Sequence, residues 1–132
     1  MPVSAKFCSQ CAAPVIKRVV EDRAREMCSE CGTVFYRNPL PVAASVVLND
    51  KREVLLVKRK NEPHKGMWCL PIGFAELDET IVQAAQRELK EETGIEGQIL
   101  RLLDADSFES DFYGDLLKRP TPTLQIESGP EN

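Results

Sequence analysis

Apolar and polar positions divide the chain into strand-like and helix-like stretches. Residues 15–20 and 24–27 flank the polar Glu21-Asp22-Arg23 and predict a short β-hairpin. Residues 42–48 form an apolar run rich in β-branched side chains. After the polar Asn49-Asp50-Lys51-Arg52 the apolar positions resume within residues 53–59, which predicts a second hairpin. Residues 67–70 predict another short strand, stopped by Pro71. The period then changes. Ile81, Ala85 and Leu89 recur every four residues with Val82 on the flank, so the spacing predicts a helix over residues 79–93. Asp78 and Glu79 suit its start, and Gly94 suits the position just past its end. Residues 73–78 read as an acidic loop, 97–104 as a strand and 113–117 as the start of one more. From about residue 118, proline, serine and glycine predict an irregular tail.

Length allows one ordinary domain, or a small domain with a very small module: the chain has 132 residues. With 42% hydrophobic and 29% charged residues it falls outside the disordered class. No apolar run approaches the roughly 18–20 residues of a membrane span, and residues 1–10 lack a basic start followed by an apolar stretch. The expectation is a cytoplasmic protein with no membrane partner. Charge is uneven along the chain. Residues 1–65 hold 12 Lys/Arg against 7 Asp/Glu, whereas residues 66–132 hold 5 against 14. Such a division suits an acidic site that holds a cation beside a basic edge that meets an anion.

Four of the five cysteines form two pairs, Cys8-x2-Cys11 and Cys28-x2-Cys31, with 16 residues between the pairs. Without a secretory signal, metal binding outranks disulfides. Two knuckles on a short hairpin bring four thiolates together, and zinc is the usual occupant of such a closed tetrahedral shell. Iron is the other metal this ligand set takes. A closed shell leaves no position for substrate, so the assigned role is structural. It would stabilise a module of about 30 residues that is too small to bury a sufficient core. Cys69 reads as a small buried hydrophobe.

The densest chemical signal is Arg87-Glu88-Leu89-Lys90-Glu91-Glu92-Thr93-Gly94. At about 100° per residue, Glu88 and Glu92 lie one turn apart on one helix face, with Glu91 beside them. Three carboxylates so close repel one another. Arg87 relieves part of this through its i,i+4 relation to Glu91, and a hard divalent cation such as Mg²⁺ or Mn²⁺ would relieve more.

These residues belong to a longer pattern, G-x5-E-x7-R-E-L-x-E-E-x-G-I, from Gly73 to Ile95. Across 23 residues it resembles the signature of the Nudix hydrolase family at every specified position. The stretch Gly66-x-Trp68-x-Leu70-Pro71 just before it extends the resemblance. The paired knuckles and the following Phe35-Tyr36-Arg37-Asn38-Pro39 are similar to the zinc-ribbon extension of the branch that includes NADH pyrophosphatases and ADP-ribose-type hydrolases. The resemblance implies an α/β sandwich, the Nudix fold, with a mixed β-sheet between helices. Residues 1–38 would form the ribbon and residues 39–132 the hydrolase domain, whose C-terminal part reads as short. It further implies a Mg²⁺- or Mn²⁺-dependent pyrophosphohydrolase cleaving nucleoside diphosphates linked to another moiety. Glu88, Glu91, Glu92 and the carbonyl of Gly73 match the metal positions, and Glu91 or Glu92 the base. Arg87 matches the residue that orients the glutamates, and Glu79 the residue that supports the loop. ADP-ribose-like and dinucleotide substrates come first, and a homodimer is expected. Residues 104–114 do not reproduce the proline- and tryptophan-rich stretch typical of NADH pyrophosphatases.

The rival reading is a non-catalytic zinc-ribbon protein that binds nucleotides or nucleic acid, which the basic first half favours weakly. The cluster Lys58-Arg59-Lys60 reads as a solvated strand end, with attraction of the second phosphate as the alternative, and the sole histidine, His64, reads as surface rather than as a substrate contact. Trp68 reads as packing rather than as a base-stacking platform, and Phe7, Phe35 and Tyr36 as packing of the ribbon against the main domain.

Overall fold

A computed structural model describes residues 4–62 and 64–106 in full, and the backbone of residues 107–108 and 121–130. At the N-terminal end, β1 (Val15–Val20) and β2 (Arg23–Cys28) pair antiparallel from Val15↔Cys28 to Val20↔Arg23. Glu21 and Asp22 alone close this hairpin, with φ of 52° and 61°, and Arg23 lies in the strand. Two successive left-handed residues match the right-handed twist of the strands they join. β3 (Val34–Phe35) pairs with β2 and completes a three-stranded sheet.

The larger part has β4 (Val42–Val47), β5 (Val57–Lys58), β6 (Trp68–Cys69), β7 (Ile72–Phe74), α1 (Ile81–Thr93), β8 (Gly97–Phe108) and β9 (Thr121–Pro130). The main sheet has the order β7-β4-β9-β8, and β5 and β6 form a separate two-stranded ribbon. β4 is buried along nearly its whole length. It runs antiparallel to β7 and parallel to β9, so the sheet is mixed. Helix α1 packs on β4 through small side chains: Ala43 meets Ala84 and Ala85, with Ala75, Ile81 and Ile99 around them. The buried Ser45 hydroxyl donates to the Ala85 carbonyl at 3.4 Å. Small residues on both surfaces let helix and strand approach closely.

Several expectations change. The helix begins at Ile81, not at residue 79, because Thr80 caps it: its side chain accepts from the Gln83 amide, and the Gln83 side chain accepts from the Thr80 amide. Gly94 ends it in the left-handed conformation, as its sequence position implies. The buried helix residues are Ala84, Ala85 and Leu89. Gly73 lies inside β7, not in a loop. The second hairpin is reduced to a bridge between Leu48 and Val54, because residues 71–74 already hold that edge of β4 and the chain turns away to pair with β6. β8 runs four residues further than predicted. The irregular tail expected from about residue 118 is corrected over residues 121–130, which form β9; the open edges of β4 and β8 supply its hydrogen bonds. The strand expected over 113–117 lies outside the described residues. Among the described residues one helix covers the sheet, and no helix is long and apolar enough to cross a membrane.

Candidate functional site

The close seating of α1 on β4 brings the last two turns of the helix against β7. Arg87 is the hub. Its Nε donates to both oxygens of Glu79, at 3.2 and 3.0 Å, and Nη2 donates to Glu79 Oε1 at 2.6 Å and to the Phe74 carbonyl at 2.9 Å. Its Nη1 donates to Glu88 at 2.7 Å and to Glu91 at 3.2 Å. Glu79 also accepts the Glu76 amide at 2.8 Å, which folds the loop ahead of the helix. The Arg87 guanidinium, helped by that amide, holds the Glu79 carboxyl at about 2. The carboxylates of Glu79 and Glu88 raise Arg87 in return. Arg87 is therefore a fixed cation that sets three carboxylates around one plane.

Glu88 points at β7. A Cβ built on Gly73 would overlap its carboxylate, so the space is available only because residue 73 has no side chain. Glu92 accepts the Ile72 amide at 3.3 Å. Its carboxyl is pushed up, chiefly by partial burial. The Ile72 hydrogen bond opposes this, the negative charge of Glu88 adds to it, Arg59 opposes it and Glu91 adds again. Glu91 is the open member, with its side chain 59% exposed against 15% for Glu88. The structure thus places Glu79, Arg87, Glu88, Glu91, Glu92 and Gly73 at one junction of helix and strand. Sequence reasoning missed the Phe74 carbonyl and the Ile72 amide. Backbone groups have no residue code, and only strand placement reveals them.

This donor set is all oxygen and carries excess negative charge, which suits a hard divalent cation. Its oxygens are not gathered as tightly as the cysteines. Among the described residues, Cys8, Cys11, Cys28 and Cys31 form the group whose ligand atoms all lie within 4.8 Å of one another. Cys8 Sγ and Cys31 Sγ are 3.7 Å apart, and Cys11 Sγ and Cys28 Sγ 3.4 Å. Zn–S bonds of 2.3 Å in a tetrahedron require about 3.8 Å between sulfurs, so the thiols fit zinc closely. No disulfide joins them. Amides of Gln10, Glu30 and Cys31 point at the sulfurs of Cys8 and Cys28 at 3.3–3.4 Å. The Thr33 hydroxyl, 3.0 Å from Cys31 Sγ, is the main cause that lowers that thiol to about 6. Each knuckle has one left-handed residue four positions after its first cysteine, Ala12 and Gly32.

His64 is at the surface, as expected. Phe7 and Tyr36 do not pack the ribbon onto the main domain: they are exposed, and Tyr36 instead receives Arg25 over its ring. Trp68 is likewise not packed. Its two-residue strand leaves the residue 63% exposed.

The NUDIX domain family model matches residues 39–125, and the Nudix N-terminal model, a zinc ribbon, matches residues 6–37. An ADP-ribose pyrophosphatase of Methanocaldococcus jannaschii is 45% identical over 69 residues, covering 52% of this chain and 40% of that one. An NAD-capped RNA hydrolase NudC of Vibrio atlanticus is 31% identical over 129 residues, covering 89% of this chain and 46% of that one. A crystal structure of a NUDIX hydrolase from Nitrosomonas europaea superposes with a TM-score of 0.80 at 32% identity, over 97% of this chain and 69% of that chain. The chain thus spans less than half the length of these two curated relatives.

Proposed function

We infer the activity from one premise: the chain belongs to the Nudix hydrolase family, whose domain model matches residues 39–125. On it we propose a Mg²⁺- or Mn²⁺-dependent pyrophosphohydrolase. Its substrates are nucleoside diphosphates linked to another moiety, with ADP-ribose-like compounds and dinucleotides such as NADH and FAD first. We divide the chain into a zinc ribbon over residues 1–38 and a hydrolase domain over 39–132, acting as a homodimer in the cytoplasm.

The observation that carries this reading is the Arg87 hub, which holds Glu79, Glu88 and Glu91 in one fixed array. Glu88, Glu92 and the Gly73 carbonyl would hold the divalent cation. When bound, it supplies shielding of phosphate charge and acidifies a water molecule. Arg87 keeps the carboxylates from splaying apart, so their geometry is set before substrate arrives. Glu79, ionised far below neutral pH, holds Arg87 and the loop of Glu76 together. Glu91 faces solvent, where it takes the proton of the attacking water or completes the ligand set. The four cysteines would hold zinc, which stabilises the ribbon and takes no part in the reaction.

The test incubates zinc-loaded protein with Mg²⁺ and ADP-ribose, NADH, FAD or nucleoside triphosphates, and measures mononucleotide release. Turnover is expected, and Glu91→Gln or Glu92→Gln should lower it by roughly 10²–10³-fold with the fold intact. Unchanged turnover in both variants overturns the assignment. Silence of folded wild-type protein across all substrates turns the reading to non-hydrolytic nucleotide or nucleic-acid binding.

A further inference from the structure

The β5–β6 ribbon carries an arrangement that the carboxylate site does not use. Lys58 and Trp68 stand directly opposite in its register, so their side chains leave the ribbon on one face. Lys58 Nζ lies 5.9 Å from the centroid of the Trp68 ring. That ring is the only tryptophan of the chain, and it stays in water although burial would remove a large apolar surface. Met67 beside it is also exposed. Residues 58–65 add Lys58, Arg59, Lys60 and Lys65 against the single acid Glu62. An exposed aromatic plane with one ammonium over it, on a segment rich in cations, has the chemistry to take a base and its phosphate together.

The ribbon also leads straight to the carboxylates. Cys69, Leu70 and Pro71 connect Trp68 to Ile72, whose amide binds Glu92. Four residues of chain reach at most about 14 Å, so the Trp68 backbone lies within that distance of the Ile72 backbone. Arg59, next to Lys58, is close enough for its charge to act on Glu92.

We propose that Trp68 and Lys58 form the surface that binds the nucleoside monophosphate half of the substrate, with the base stacked on the indole and a phosphate oxygen paired with the Lys58 ammonium. The surface itself follows from geometry; that its ligand is a substrate rests on the pyrophosphohydrolase reading. The ammonium over the ring holds the indole in place before the base arrives.

The sole tryptophan makes the test direct. AMP is titrated into the full-length zinc-loaded protein without divalent cation while indole emission is followed, with ribose 5-phosphate as the control that lacks a base. Saturable quenching by AMP and none by ribose 5-phosphate is expected. In turnover with ADP-ribose, Trp68→Ala should raise KM by roughly 5- to 100-fold, far more than it lowers kcat. Trp68→Phe should restore most of the loss, and Lys58→Ala should weaken AMP binding measured by dialysis. Bound AMP with unchanged emission, or no AMP binding at all, overturns the proposal. The two readings separate cleanly. Quenching without turnover on any substrate keeps this surface and removes the hydrolase reading. Turnover with wild-type KM in Trp68→Ala removes this surface and keeps the hydrolase.

Discussion

The carboxylate of Glu88 lies against the α-carbon of Gly73, in space that any side chain on residue 73 would fill. The glycine that opens the signature is thus needed for a close approach across the helix–strand junction. Its strand backbone makes no demand for a left-handed conformation, since the left-handed glycines among the described residues are Gly32, Gly66 and Gly94.

Gly73→Ala should therefore push Glu88 off its position and off Arg87 Nη1. A displacement of about 1 Å at such a group costs on the order of 10²-fold in rate. We expect kcat to fall by that amount while the circular dichroism spectrum is retained. Wild-type kcat in this variant would mean that the Glu88 position is not needed for turnover.

Arg87 reaches Glu79, Glu88, Glu91 and the Phe74 carbonyl from one planar head. A lysine ammonium has three donors on one atom and cannot bridge these partners. Hydrogen bonds to charged groups are worth about 1.5–3 kcal/mol each, so Arg87→Lys should lower kcat by roughly 10- to 100-fold. Steady-state kinetics at saturating Mg²⁺ is the measurement.

Glu79 has a folded-state value of about 2 against an ordinary 4.5. A depressed carboxyl adds stability that is fully present above pH 4.5 and is lost as the pH falls toward 2. The Tm difference between wild type and Glu79→Gln should be widest above pH 4.5 and close as the pH approaches 2. Scanning calorimetry across that window reads it, and a gap independent of pH would contradict the ion pair with Arg87.

Zinc-loaded protein should offer one thiol of five to a thiol reagent, that of the half-buried Cys69, and chelation should release the other four. Loss of the metal should also melt the three-stranded ribbon sheet, since about 30 residues cannot bury enough surface to fold alone. Five reactive thiols in metal-replete protein would exclude the four-sulfur site.

Ala12 adopts φ 64° where the second knuckle uses Gly32 at φ 75°. A left-handed conformation costs an L-residue with a side chain about 1–2 kcal/mol, part of which the higher chain entropy of glycine offsets. Ala12→Gly should stabilise the zinc-loaded ribbon by about 0.5–1 kcal/mol, and Gly32→Ala should destabilise it by a similar amount. Thermal denaturation of the two variants checks the pair.

What the sequence determined by itself is local. Cysteine spacing on a hairpin places four sulfurs together because each knuckle closes within a few residues. The spacing of Glu88, Glu91 and Glu92 places three carboxylates on one side of α1 because a helix repeats every 3.6 residues. Gly94 ends that helix for a reason contained in its own backbone. Tertiary structure decided the rest. Gly73 lies in β7 against Glu88. The edges of β4 went to β7 and β9, so the hairpin expected after residue 52 shrank to a bridge and residues 121–130 became a strand. Trp68 was left in solvent because its strand pairs with β5 outside the main sheet. The strand pairings depend on which distant backbone competes for the same hydrogen bonds, and that competition has no signature in the residues of any single segment.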